Sequence, residues 1–197
     1  MTVYEQENYN NGITLLAGID EVGRGPLAGP VVACALILPR FSDIKGVDDS
    51  KKISEKKREI LYQLIMAEAI AVGIGCVSHE VIDDINILKA THKAMAEALA
   101  SLDPLPQHAL VDGYPVKGLC VPHTAIIKGD SKSYLIAAAS IVAKVVRDRI
   151  MRQYHEIYPE YGFASNKGYG TKKHIAAIEE QGLSPIHRKS FTRRFKY

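Results

Sequence analysis

The sequence predicts an α/β fold, a mixed β-sheet flanked by helices, on three observations. Val31 to Leu38 is apolar throughout and reads as a strand covered on both faces. Short strand-like runs alternate with longer stretches whose apolar residues recur at helical spacing. The first two strands are joined only by the glycine-rich segment Gly23 to Gly29, so they form an opening hairpin rather than a strand–helix–strand unit.

In chain order, Thr14 to Ile19 and Pro30 to Leu38 are the first strands, and Pro39 closes the second. Ser54 is placed to cap a helix whose core face carries Ile60, Leu61, Leu64 and Ile65. Ala69 to Val77 is the third strand. Ser78 caps one longer helix with Val81, Ile85, Leu88, Met95 and Leu99 along a stripe, ended by Pro104 and Pro106. His108 to Val111 and Thr124 to Ile127 are short strands. Asp130 or Ser131 caps a third helix with Leu135, Ala139, Val142, Val146 and Ile150 in register. Its small residues Ala137 to Ser140 permit close packing on a sheet. Lys172 to Gln181 is a last helix, with Gly182 in the position after its end.

The 47% hydrophobic and 24% charged content of these 197 residues exclude a disordered chain and fit one domain, or one domain with a small appendage. No apolar run approaches the roughly 20 residues that span a bilayer. Three cysteines lack zinc-ligand spacing; Cys34 and Cys76, inside apolar runs, read as buried small hydrophobes. The odd count and the absence of a secretory leader point to a reducing cytoplasm. The net charge of +3 is compatible with a nucleic-acid partner without requiring one. More telling is the C-terminal stretch, where Lys167, Lys172, Lys173, Arg188, Lys189, Arg193, Arg194 and Lys196 interleave with Tyr169, Phe191, Phe195 and Tyr197. His174 and His187 lie in the same region and are candidates to meet phosphate.

Asp20, Glu21, Asp112 and Asp130 stand where strands end or a helix begins, the usual location of ligand sites in open sheets. Carboxylates are hard oxygen donors suited to Mg²⁺ or Mn²⁺. A two-ion phosphoryl-transfer site needs several carboxylates converging on ions about 3.5–4 Å apart. Ordinary readings remain open: Asp112-Gly113 is a common turn pair, and Asp130 is placed to cap a helix. Adjacent strand residues point to opposite faces, so Asp20 and Glu21 can share an ion only if extended geometry breaks at Glu21, which Gly23 and Gly25 make feasible. The segment Gly23 to Gly29 lacks the dinucleotide-binding spacing, and a strand rather than a helix follows it.

Six motifs occur together in order: Ile19-Asp20-Glu21-Val22-Gly23-Arg24-Gly25, Asp49-Ser50-Lys51, Val111-Asp112-Gly113, Lys128-Gly129-Asp130, Ala138 to Lys144 with Arg147-Asp148, and Gly168-Tyr169-Gly170-Thr171. In this register the chain resembles ribonuclease HII of the bacterial type from about Leu15 to near Phe191. The resemblance implies a ribonuclease H-like fold. It further implies an endonuclease that cuts the RNA strand of RNA–DNA hybrids and cuts 5′ of ribonucleotides embedded in duplex DNA, leaving 3′-hydroxyl and 5′-phosphate ends. It implies that Asp20, Glu21, Asp112 and Asp130 hold two divalent ions, Mn²⁺ or Mg²⁺. By the same resemblance, Gly23, Arg24 and Gly25 contact the ribose 2′-hydroxyl and nearby phosphates, Ser50 and Lys51 touch the backbone, and Tyr169 packs on the deoxyribose that follows. The expected division is a flexible segment over 1–13, a catalytic domain over 14–160 and a basic helical region over 161–197 packed on that domain. A monomer is expected. A type III ribonuclease H would carry a substantial N-terminal domain, whereas about a dozen residues precede the first strand here. A non-catalytic nucleic-acid-binding module is the other reading, which four acids at strand ends disfavour by repelling phosphate.

Overall fold

Strand β1 (Leu16–Val22) is the central member of a five-stranded sheet in a computed structural model that describes residues 2–48 and 53–193. Strand β2 (Val31–Ile37) runs antiparallel beside it, and β3 (Ala71–Val77) pairs antiparallel with β2. On the other side β4 (His108–Asp112) lies parallel to β1, and β5 (His123–Ile126) lies parallel to β4. The sheet is therefore mixed, in the order β3-β2-β1-β4-β5. β1 runs three residues beyond the expected Ile19, because pairing with β2 continues as far as Val22 opposite Val32. The backbone break expected at Glu21 falls at Gly23 instead.

Helix α1 (Val3–Asn10) occupies the polar stretch expected to be flexible. Its Glu5 is buried, and its carboxylate accepts from the Ser133 hydroxyl at 2.6 Å and the Leu135 amide at 3.2 Å. A buried acceptor for two donors anchors a helix whose composition alone reads as solvated. Glu5→Ala leaves both donors without that partner and is expected to cost about 1–3 kcal/mol. Urea unfolding checks this, and an unchanged midpoint would contradict it.

One face of the sheet is covered by α5 (Tyr134–Ile157), with α2 (Glu55–Glu68) outside it. Ser133, rather than Asp130 or Ser131, caps α5 by accepting from Ile136, and Gly129–Ser131 forms a separate 3-10 turn. A side chain at Gly18 would sit 2.3 Å from the Leu135 carbonyl carbon, so the missing Cβ lets α5 lie directly on β1. Only Leu61 and Ile65 of α2 are buried, while Ile60 and Leu64 are exposed, since this outer helix touches the core along one narrow row.

The opposite face is covered by α3 (His79–Ile85) and α4 (Ile87–Ala100), which replace the single helix expected after Ser78. Asn86 divides them: its φ is 70°, a conformation asparagine tolerates better than most residues, and its side chain accepts from the amides of Leu88 and Lys89. The break rotates the buried face to Ala90, Thr91, Ala94, Met95, Ala98 and Leu99, leaving Leu88 exposed. Cys34 is buried on the inner β2, whereas Cys76, on edge strand β3, is exposed rather than buried.

Helices α6 (Phe163–Asn166), α7 (Lys172–Gln181) and α8 (Lys189–Thr192) complete the described residues. Phe163, Ile178 and Ile186 form a third core with Leu27, Ala28 and Met151, so the C-terminal region packs on the glycine-rich segment and the far end of α5.

Candidate metal centre

The parallel register of β1 and β4 brings the acids together. Ile19 stands opposite Val111 as the last pair, so the next residues, Asp20 and Asp112, emerge side by side from the ends of adjacent strands. Asp20 points toward α5, where it accepts a hydrogen bond from Ser140, and Asp112 accepts from the Gly129 amide at 2.6 Å. Glu21 leaves the opposite face by strand alternation. Pairing of β1 with β4 has ended at Ile19, and the Glu21 carboxylate nevertheless joins the other two. Carboxylate oxygens of Asp20, Glu21 and Asp112 all lie within 4.8 Å of one another, the acidic group of this kind among the described residues. Asp130 is buried in the turn beside Gly129, adjacent to the partner of Asp112 but outside that group of three.

One buried and two half-buried carboxylates this close are electrostatically unfavourable. Burial, then the charges of Glu21 and Asp112, push the Asp20 carboxyl well above the usual carboxylate range, against hydrogen bonds from Ser140 and the Glu21 amide. Burial likewise raises Glu21; Arg24, 3.4 Å away, opposes this and Asp112 reinforces it. The nearby Lys144 ammonium pairs instead with Asp148 at 2.7 Å, which also lies 3.7 Å from Arg58. Three converging carboxylates offer only oxygen donors, which suit a hard divalent cation.

The acids floor a cleft of about 220 Å³ whose walls include Gly23, Gly25, Lys144 and Tyr169. A larger groove of about 500 Å³ between Tyr161 and Lys173 contains none of the three carboxylates. Gly23 has a φ of 98°, and a Cβ there would lie 2.3 Å from Arg147 Nε and 2.7 Å from the Pro30 carbonyl, so this position requires glycine. At Gly25 a Cβ would reach only to 3.6 Å from the Tyr169 ring. Tyr169, 42% exposed, thus faces Gly25 across the cleft.

Two fully buried arginines shape this wall. Arg147 donates to the carbonyls of Pro30 at 2.9 Å, Lys167 at 2.9 Å and Ala28 at 3.2 Å. Arg188 donates to those of Gly29 at 2.9 Å, Arg24 at 3.0 Å and Gly23 at 2.6 Å. Arg188 is therefore a scaffold for the loop and, being buried, is not one of the basic residues exposed to a nucleic acid. His174 and His187 are also buried and bond to each other, so neither is exposed to meet phosphate. Of the basic stretch, Lys172, Lys173, Lys189 and Arg193 remain exposed. Ser50 and Lys51, with Arg194 to Tyr197, lie outside the described residues. The scaffold role of Arg147 had one sequence signal: it continues the row of Ser140 and Ala143 on the buried side of a helix.

A mixed sheet with acids at the ends of its central parallel pair is the fold of the ribonuclease H-like nucleases. A ribonuclease H2 from Pyrococcus horikoshii OT3 superposes with a TM-score of 0.79 at 29% identity, over 89% of this chain and 93% of that one. The ribonuclease HII in a PCNA complex from Archaeoglobus fulgidus gives 0.76 at 28%, over 93% and 98%. Residues 17–194 match the family model described as Ribonuclease HII, and the chain belongs to that family. Ribonuclease HII of Clostridioides difficile (strain 630) is 53% identical over 191 residues, 97% of this chain and 75% of that protein. That of Bacillus cereus (strain B4264) is 56% identical over 191 residues, 97% and 74% of the respective chains. The chain is thus a hydrolase, an endonuclease of the ribonuclease H type, in a family that depends on divalent metal. No helix among the described residues is long and apolar enough to cross a membrane.

Proposed function

We propose that this endonuclease cuts the RNA strand of RNA–DNA hybrids and the 5′ side of ribonucleotides embedded in duplex DNA, leaving 3′-hydroxyl and 5′-phosphate ends. The observation that carries the reading is the convergence of Asp20, Glu21 and Asp112 at the floor of a cleft walled by Gly23, Gly25 and Tyr169. These three acids, with Asp130 from the adjoining turn as a fourth, would hold two divalent ions, Mn²⁺ or Mg²⁺. Bound there, such ions supply an activated water and stabilise charge on the leaving oxygen.

The remaining work belongs to the chain. Ser140 and the Glu21 amide orient the Asp20 carboxylate, and the Gly129 amide orients Asp112. The 2′-hydroxyl is the group that distinguishes RNA from DNA at one nucleotide. Backbone groups of Gly23, Arg24 and Gly25 meet it where absent side chains leave room, while the carbonyls of Gly23 and Arg24 are held in place by Arg188. Arg24 also offers its guanidinium to a flanking phosphate. The Tyr169 ring lies flat on the next sugar when that sugar lacks a hydroxyl. Ser50 and Lys51 are proposed backbone contacts. The protein would work as a cytoplasmic monomer.

A duplex with one embedded ribonucleotide, incubated with Mn²⁺ or Mg²⁺, should be nicked 5′ of it and protected by EDTA. Binding without chelator-sensitive nicking would favour a non-catalytic module. Tyr169→Ala should reduce cleavage at a single ribonucleotide about tenfold, the scale of one lost stacking contact, and affect long hybrids less. Steady-state kinetics on both substrates would show this; equal losses would argue against junction sensing.

A further inference from the structure

Two histidines in the third core take no part in the proposed chemistry. His174, on α7, is 0% exposed, and His187, in the segment before α8, is 1% exposed. Their Nε2 atoms are 3.0 Å apart. The opposite nitrogen of each ring determines where the protons are. The Ser184 amide can only donate, and it lies 2.9 Å from His187 Nδ1, so that nitrogen accepts, and the Ser184 hydroxyl, 2.7 Å away, can turn its proton to the same nitrogen. The Tyr169 carbonyl can only accept, and it lies 2.9 Å from His174 Nδ1, so that nitrogen donates. One proton remains for the contact between the rings: His187 Nε2 donates to His174 Nε2. A second proton on His174 would set two donors face to face, and one on His187 would oppose the Ser184 amide. Both imidazoles are therefore neutral, in opposite tautomers.

The resulting relay runs from the Ser184 amide through His187 and His174 to the Tyr169 carbonyl. Tyr161 and Phe163 wall it in, with ring centroids 5.0 Å from His187 and 5.4 Å from His174 respectively. Its end point needs such support. Lys167 and Gly168, just before Tyr169, have φ values of 53° and 86°, so no regular element carries this segment. Tyr169 is otherwise tied by its amide to the Asn166 carbonyl at 2.9 Å and by its carbonyl to the Thr171 amide at 2.8 Å, both within the same short segment.

We propose that His174 and His187 are positioning residues which, as a neutral pair of opposed tautomers, hold the Tyr169 backbone and thereby aim its ring across the cleft; this rests on the reading of Tyr169 as the sensor of the following sugar. Burial, and then the repulsion that a proton on His187 would meet from a protonated His174 or His79, lower His187 to about 4 against a hydrogen bond at the Ser184 backbone, and burial also lowers His174. At neutral pH the relay is intact. Unfolded histidine takes up a proton near its ordinary value of 6.5, before the folded ring does. The unfolded state then binds more protons, so His187 makes stability fall as pH drops from about 6.5 toward 4.

Two measurements test the proposal. Long-range ¹H–¹⁵N imidazole spectra at pH 7.5 should show His174 protonated at Nδ1 alone and His187 at Nε2 alone; reversed tautomers or an imidazolium would overturn it. In kinetics, His174→Leu removes the side-chain donor to Tyr169 and leaves only the local Thr171 amide, whereas His174→Asn keeps an amide donor near the Nδ1 position. His174→Leu should lower kcat/KM at a single ribonucleotide about tenfold, the worth of one buried hydrogen bond, with a smaller change on continuous hybrid. His174→Asn should recover most of that loss, and His174→Leu should add nothing to Tyr169→Ala. A selective Tyr169→Ala loss with unselective or absent His174→Leu effects would overturn the proposal alone. If Tyr169→Ala leaves both substrates unchanged, the sensor reading is at fault and the proposal falls with it.

Discussion

Asp20→Asn is expected to lower turnover on the order of 10³-fold while duplex binding stays within about threefold, because several kcal/mol of transition-state stabilisation depend on the metal site. The amide keeps the shape of the carboxylate and can still meet Ser140, but it removes one negative charge from the group formed with Glu21 and Asp112. That removal relieves repulsion among the three acids, so the metal-free folded protein should be at least as stable as the parent. Loss of activity together with undiminished thermal stability separates a functional acid from a structural one. Single-turnover kinetics at saturating enzyme, paired with a melting curve, make the comparison. A variant that turns over at the parent rate would remove Asp20 from the mechanism.

The second large effect is structural in origin and functional in consequence. Arg188→Met, similar in length but without donors, should destabilise the protein by about 3 kcal/mol or more, since the carbonyls of Gly23, Arg24 and Gly29 lose buried charge-assisted partners. Arg188→Lys should recover little, because an ammonium cannot reproduce the planar fork that reaches three carbonyls at once. Cleavage should fall in both variants even where they remain folded, since Gly23 and Arg24 form the cleft wall. Urea unfolding gives the first quantity and kcat/KM on the folded fraction gives the second. Parental stability in Arg188→Met would mean that the loop is held by other contacts.

The sequence pattern announced the strands, the covering helices and the carboxylates, because apolar periodicity and acids at strand ends are local signals. What it left out depends on contacts between distant segments. Asp20 and Asp112 become neighbours through a parallel register that no local window records. Alternation along β1 suggested that Glu21 needed a broken strand; β1 stays paired with β2 through Val22, and the Glu21 carboxylate still lies with those of Asp20 and Asp112 beyond the last β1–β4 pair. Arg188 reads as one of a basic stretch, yet it is buried, since the carbonyls it bonds, those of Gly23, Arg24 and Gly29, lie near the other end of the chain. Glu5 misled for the same reason: its partner Ser133 is 128 residues away. The division at Asn86 was locally available, as asparagine both tolerates positive φ and caps helices.

The account rests on the three converging carboxylates being a divalent-cation site. Mn²⁺ soaked into crystals of the protein, and located by its anomalous scattering, tests this most directly. Mn²⁺ bonded to oxygens of Asp20, Glu21 and Asp112 is the predicted result. Mn²⁺ bound elsewhere, with these three acids left uncoordinated in an enzyme that still needs the metal to cut, would contradict it.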